Sequence, residues 1–254
     1  MTGFLAFLRK EFTEILRTWR IWVIPGMLLF FGLISPIIAA LTPALVQSMA
    51  ASQPGVVVKL PPPTALDAAA QFLKNLNQFI LIAIVIAGAG VVSGERASGT
   101  AILVLTKPLS RGAFVMAKIV SQITVLVAAT AVGTAACIGM TAAAFHGARA
   151  TGLMTAVSLW LLSASLLVVV MTLFSAAFRS RGAAAGAGLA FYFFTLLFSI
   201  WGPATEYTFI GLQPAMRDAL RGEALSLAWP AATAVAALVG GAFAAVRLFE
   251  RQEL

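Results

Sequence analysis

One histidine, one cysteine and nine carboxylates are all that 254 residues offer for acid–base, nucleophilic or metal chemistry. His146 falls at a turn, where a lone histidine is ordinarily a surface residue. Cys137 lies in an apolar run, can form no internal disulfide, and reads as a packing residue. Glu206 or Asp218 would have to serve as the acid of an enzyme, and neither has a second catalytic group at a suggestive spacing. There is no Cys/His cluster to hold a metal and no G-x-x-x-x-G-K-[ST] segment to cradle a nucleotide's phosphates. The charges that do gather lie in SGERASGTAILVLTKPLSRG, residues 93–112, where Glu95, Arg96, Lys107 and Arg111 surround the run AILVL. An apolar helix there, with Ile102, Leu103, Val104 and Leu105 on all sides, must bury itself against lipid, sibling helices or another protein, and the alternative is an ordinary turn with solvated charges.

The rest of the chain says what holds that stretch in place. It is 61% hydrophobic and 10% charged, against about 25% charged in a typical soluble domain. Mean hydropathy is +0.98. A membrane span needs roughly 20 mostly apolar residues, and six segments qualify: 21–41, 76–92, 119–144, 154–178, 183–201 and 227–246. The second is the shortest, and an amphipathic start near Ala65 would lengthen it. These runs predict an all-α integral membrane protein of one transmembrane domain over 1–254, with no internal repeat. With both termini inside, the inner segments hold twelve of the 17 Lys and Arg residues. That is the positive-inside bias, so the net charge of +8 reads as a topological signal and not as a nucleic-acid footprint. The expected topology is N-in and C-in, with both termini in the cytoplasm. A cleavable signal is not expected, because the first 20 residues are charged and the apolar run behind them is too long.

The centres of the six spans contain no Asp, Glu, Lys or Arg. Buried ionisable groups mark proton relays and ion paths, so a proton-coupled transporter, an ion pump and a charge-lined channel are all disfavoured. The hydroxyls within the spans, among them Thr130, Thr134, Thr141, Ser158, Ser163, Ser165, Thr172, Ser175, Tyr192, Thr195 and Ser199, are expected to bond backbone or a neighbouring helix. RGAAAGAGLA, residues 181–190, suits close helix packing or a subunit interface equally.

Residues 1–20 read as an amphipathic helix lying in the membrane interface. Phe4, Leu5, Leu8, Phe12, Ile15, Leu16 and Trp19 form its apolar arc, with Phe7 the one misfit. Residues 42–75 form the longest polar stretch, where Pro54-Gly55 and Pro61-Pro62-Pro63 forbid a continuous helix. A second outer segment, 202–226, is expected to hold a short amphipathic helix. Between spans two and three, Pro108 stops the AILVL helix, and the Leu109/Ser110/Phe114 spacing is that of a hydrophobic staple around an N-cap. A new helix therefore starts at Ser110 and carries Lys118 to the interface.

The order Glu95, Gly99-Thr100, a Leu-rich run, Pro108-Leu109-Ser110-Arg111 and Lys118 resembles the loop of bacterial type-2 ABC transporter permeases. That family shows E-x(3)-G-T, a Leu pair, then P-[VL]-S-R and G-K; here Ala117 replaces the last Gly. Within it, the chain looks most like the permeases grouped with multicopper-enzyme and nitrous-oxide-reductase maturation. The resemblance implies an elbow helix with Phe4, Leu8, Phe12, Ile15 and Trp19 on its working face. It also implies a coupling helix in 93–118 whose Glu95, Arg96, Gly99, Thr100, Ile102, Leu103, Leu105, Pro108 and Arg111 meet a separate ABC ATPase. Two ATPases would hold ATP and Mg, leaving this chain no cofactor of its own. A second permease chain, identical or paralogous, would complete an exporter. A non-transporting membrane anchor that recruits a cytoplasmic partner is the rival reading. A pathway lined by Ser, Thr, Phe and Met suits a lipid, an amphipathic drug or peptide, or a sulfur species alike.

Overall fold

The computed structural model describes residues 2–18, 20–51, 61–100, 109–145 and 151–251. These residues fold without a strand, and six of their helices are long and apolar enough to cross a bilayer. The elements are α1 (Thr2–Arg17), α2 (Arg20–Ala51), α3 (Ala65–Asn75), α4 (Leu81–Gly88), α5 (Ser93–Ala97), α6 (Arg111–Ala144), α7 (Leu153–Ala177), α8 (Arg181–Phe198), α9 (Gly202–Tyr207), α10 (Leu212–Arg221) and α11 (Ala228–Glu250). The spans are α2, the α3–α4 unit, α6, α7, α8 and α11.

Local chemistry explains most boundaries. Thr64 caps α3 through a capping box: its hydroxyl accepts from the Asp67 amide while the Asp67 carboxylate accepts from the Thr64 backbone N–H at 2.8 Å. The second span therefore does begin at Ala65. A π-helical turn, Leu76–Ile80, joins α3 to α4. Its backbone and flanks are bonded from neighbouring spans: the Tyr192 hydroxyl donates to the Asn77 carbonyl at 2.8 Å, and Asn75 donates to the Ser35 hydroxyl at 2.9 Å. Ser110 and Ser180 cap α6 and α8 by accepting from the Ala113 and Ala183 amides, each at 3.1 Å.

The first span, expected over 21–41, runs longer: the helix continues to Ala51 through Pro25, Pro36 and Pro43, and the chain is again non-helical at 61–64, before α3. TPALVQSMAA is rich in helix formers, and a helix already set within a bilayer tolerates proline. At 1.5 Å per residue its 32 residues span about 48 Å, well beyond a hydrocarbon core of about 30 Å. Pro54 and Gly55 lie outside the described residues.

The most extensive helix pair is α2 with α6. Glycine makes the approach possible: a Cβ on Gly32 would sit 2.2 Å from the Gly133 carbonyl oxygen, and one on Gly133 would sit 2.7 Å from that of Leu28. The small-residue segment of α8 behaves differently along its length. Ala184 and Gly188 pack inward, with Gly188 against Met171, whereas Gly182 and Gly186 face open space. At the end of the bundle away from both termini, α10 lays Leu212, Ala215, Met216 and Ala219 over the start of α7. Gly152 is required there, because its φ is +85° and a Cβ would lie 1.9 Å from the Ala219 carbonyl oxygen.

Candidate functional site: the α5 knuckle and its ion cluster

The second span does not run straight into the 93–112 stretch. It breaks at Ala89–Val92, turns, and re-forms as α5, and the break exposes backbone groups that need partners inside the protein. Ser175 of α7 supplies them. Its hydroxyl accepts from the Val92 and Ser93 amides at 3.0 and 3.1 Å and donates to the Ala89 carbonyl at 2.9 Å. Thr172 and Ser158 do what a span hydroxyl ordinarily does, bonding Val168 O and Met154 O on their own helix. Ser175→Ala leaves two buried amides unpaired, which costs about 1–3 kcal/mol. A fall of several degrees in the unfolding midpoint in detergent is the expected result; Ser158→Ala, on an exposed face, should leave the midpoint in place.

Two further contacts clamp α5 to the start and end of its neighbours. Arg96 donates to the Ala176 carbonyl at 3.1 Å, a cation on the C-terminal turn of α7. Arg181, the first residue of α8, lies across Gly90 and Gly94, where a Cβ would come within 3.1 and 2.7 Å of it.

The other face of α5 carries Glu95, which points into the protein. Lys118 of α6, only 1% exposed, donates to Glu95 Oε1 at 2.7 Å and to both oxygens of Glu11 at 3.1 and 3.2 Å. Lys10 completes the cluster, 3.4 Å from Glu95, 3.2 Å from Glu11 and 2.5 Å from Glu14. Burial alone would lower the Lys10 pKa, but the hydrogen bond to Glu14 and the charges of Glu11, Glu95 and Glu14 more than reverse it. The ammonium is therefore held well above its ordinary range. The Lys118 ammonium also sits 4.9 Å above the Phe114 ring. Glu11, Glu14 and Glu95 come together as metal ligands do, but two ammonium groups already lie among them.

An aromatic ladder backs the cluster. Phe7 stacks on Phe114 and Phe114 on Phe249, each pair 5.2 Å apart, so α1, α6 and the end of α11 share one apolar knot. Arg111 adds a bond to the Glu250 carbonyl at 3.0 Å. Both ends of the chain thus meet at the end of the bundle that carries α5.

The residues singled out from sequence divide accordingly. Glu95 and Arg96 are both engaged within the chain, and neither side chain is free on the surface. Gly99 takes φ +72° just after α5, the left-handed turn that glycine adopts cheaply, and the Thr100 hydroxyl lies 2.7 Å from that of Ser98. Ile102, Leu103, Leu105 and Pro108 lie outside the described residues, as does Trp19. In α1, Phe4 and Leu8 pack against the aromatic knot, Ile15 is buried and Phe12 half-buried. The packed face of that helix is not the same as its apolar arc. Phe7, the misfit, is 7% exposed, while Leu5 and Leu16 are each 62% exposed. The face against the bundle runs Phe7–Glu11–Ile15, one residue per turn. Lys118 is buried inside the protein, against Glu11 and Glu95. The i, i+4 spacing of Phe7, Glu11 and Ile15 was the signal that would have marked this face, though not its partner Lys118, from sequence.

Six apolar spans, with α1 packed on α6 and a clamped knuckle after span two, define a multi-pass membrane protein. Residues 5–254 match the family described as ABC-2 family transporter protein, and the chain belongs to that family. No curated protein matches the chain significantly.

Proposed function

We propose that this chain is the membrane subunit of an ATP-driven exporter, powered by a separate cytoplasmic ABC ATPase that docks on residues 93–112. The observation that carries the reading is the clamping of α5. One short helix is tied by Glu95 to α6 and α1, by Arg96 and the Ser175 hydroxyl to α7, and by close contact with Arg181 to α8. Any push on the segment that follows α5 therefore moves four helices together, as a force-transmitting element must.

In this reading the contact with the ATPase is made by the apolar residues Ile102, Leu103 and Leu105, while Glu95 and Arg96 hold the knuckle rigid from behind. The energy enters here, which accounts for span centres without ionisable groups. ATP and Mg belong to the ATPase, present in two copies, and a second permease chain, identical or paralogous, completes the pathway. The positive-inside bias supports both termini and α5 lying in the cytoplasm, and the family resemblance supports a bacterial inner membrane. Kinship with the maturation permeases rests on the 95–118 motif.

Co-expression with candidate ABC ATPases, followed by purification in detergent on a tag carried by this chain, tests the proposal. The wild type should bring one ATPase with it in about equal amount, and Leu103→Asp should lose it, because a carboxylate placed in an apolar contact is left unpaired. Retention of the ATPase by Leu103→Asp would move the docking site elsewhere, to α1 first. If no ATPase accompanies the wild type, the membrane-anchor reading takes its place.

A further inference from the structure

At the end of the bundle opposite both termini, a cavity of about 470 Å³ opens between α3, the end of α8 and α10. Two helices supply its walls with matching stripes. From α3 and the π-helical turn come Asp67, Lys74 and Asn77, and from α10 come Arg217 and Arg221. Both stripes follow helical spacing, and the opposite face of α10 is the one buried against α7.

The charges on these walls are unbalanced. Lys74 and Arg217 have no ion-pair partner among the described residues, and Arg221 has only a loose one, Glu223 at 3.8 Å, with both groups exposed. Asp67 is the one carboxylate in the lining, and its Oδ2 is committed to the N-cap, accepting from the Thr64 amide and hydroxyl. The floor is apolar, and Gln213 is shared with an adjoining crevice lined by Phe191, Tyr192 and Phe209. Trp201, two residues beyond Ser199 in the lining, is 57% exposed. The exposed Tyr207 and Trp229 pair at the same end. Exposed Trp and Tyr of this kind mark the headgroup level of a membrane. Leu66 and Leu196, also in the lining, carry the cavity's rim onto that flank.

We propose that this cavity binds a phosphate-headed amphiphile. The head lies between Lys74 and the Arg217 and Arg221 guanidinium groups, whose fork geometry suits phosphate oxygens. The apolar chain runs along Leu66 and Leu196. A bilayer phospholipid and a free single-chain amphiphile offer the same chemistry, and the test separates them. The inference does not depend on the transport reading, since it concerns binding by this chain alone.

The test is equilibrium binding of radiolabelled dodecyl phosphate to the full chain in nanodiscs of phosphatidylcholine, corrected with empty discs. Binding should saturate near one per chain. The double variant Lys74→Gln, Arg217→Gln should weaken it tenfold or more, whereas Arg251→Gln at the other end should not. All three side chains are exposed, so folding is not at risk, and unfolding midpoints check this. If phosphatidylglycerol added to the discs competes the label away, the natural occupant is the bilayer lipid. If it does not, the site is for a free amphiphile. No saturable binding, or equal binding by the double variant, overturns the proposal. So does inorganic phosphate competing as well as dodecyl phosphate, because the apolar chain would then have no part in it.

Discussion

Lys118→Met should cost this protein about 3–5 kcal/mol and lower its unfolding midpoint in detergent by roughly 10 °C. The methionine fills nearly the same space, so packing against Phe114 is kept and the loss is electrostatic. Glu11 would remain almost fully buried, with only Lys10 at 3.2 Å to balance it, and Glu95 would lose its 2.7 Å bond. Buried ion pairs are not reliably stabilising, because desolvation offsets most of the attraction, but a buried charge stripped of its partner is reliably destabilising. A second substitution separates these effects. Lys118→Met with Glu11→Leu removes charge and countercharge together and leaves Glu95 to Lys10. That double variant should recover more than half of the lost midpoint. If Lys118→Met alone unfolds at the wild-type temperature, the cluster does not hold α1 to α6.

Gly133→Val carries a comparable penalty for a different reason. The first methyl position alone would lie 2.7 Å from the Leu28 carbonyl oxygen, and the neighbouring Gly32 has its own contact with the Gly133 carbonyl. No side chain can swing aside to relieve a clash with backbone, so α2 must move away from α6 along their shared length. Overpacking a well-fitted core costs about 1–3 kcal/mol and sometimes more, and a forced backbone separation belongs at the upper end. Gly139, on the same helix with open space around it, is the control. Gly139→Val should leave the unfolding midpoint within a degree or two. Equal midpoints for the two variants would mean that α2 and α6 do not approach through glycine.

The parts of this architecture that were legible in the sequence are those set by water-to-lipid transfer and by local capping. The six spans follow from runs of apolar residues, the Ser110 helix start from the Leu109/Ser110/Phe114 staple around its hydroxyl cap, and the Ala65 start from an amphipathic pattern. Which face of the first helix packs on the bundle was not legible, for a physical reason. Apolar residues are packed on protein along one flank and exposed along another, and hydrophobicity does not distinguish the two. Leu5 and Leu16 therefore counted toward the arc, while Phe7 stood out as an error although it is the centre of the packed face. Glu11 then fell on the apparent polar side. Its partner Lys118 is 107 positions away, and only the tertiary fold brings them within 3.1 Å. Ser175 was one of many span hydroxyls with no mark to separate it from Thr172, because its special role depends on where span two breaks.

The measurement that bears most directly on the α5 knuckle is made on the complex with its ATPase in nanodiscs, comparing the wild type with Glu95→Gln. Binding of the ATPase and its ATP turnover are read separately. Glu95→Gln keeps the size of the side chain and leaves Lys118 its bonds to Glu11, so the chain should fold. ATPase affinity should stay within about threefold, because Glu95 faces inward. Turnover driven by the complex should fall about tenfold, equivalent to some 1.4 kcal/mol, because α5 would no longer be tied firmly to α6 and α1. Unchanged turnover would contradict the account by making the ion cluster structural only. Lost binding would contradict it as well, by making Glu95 part of the docking surface.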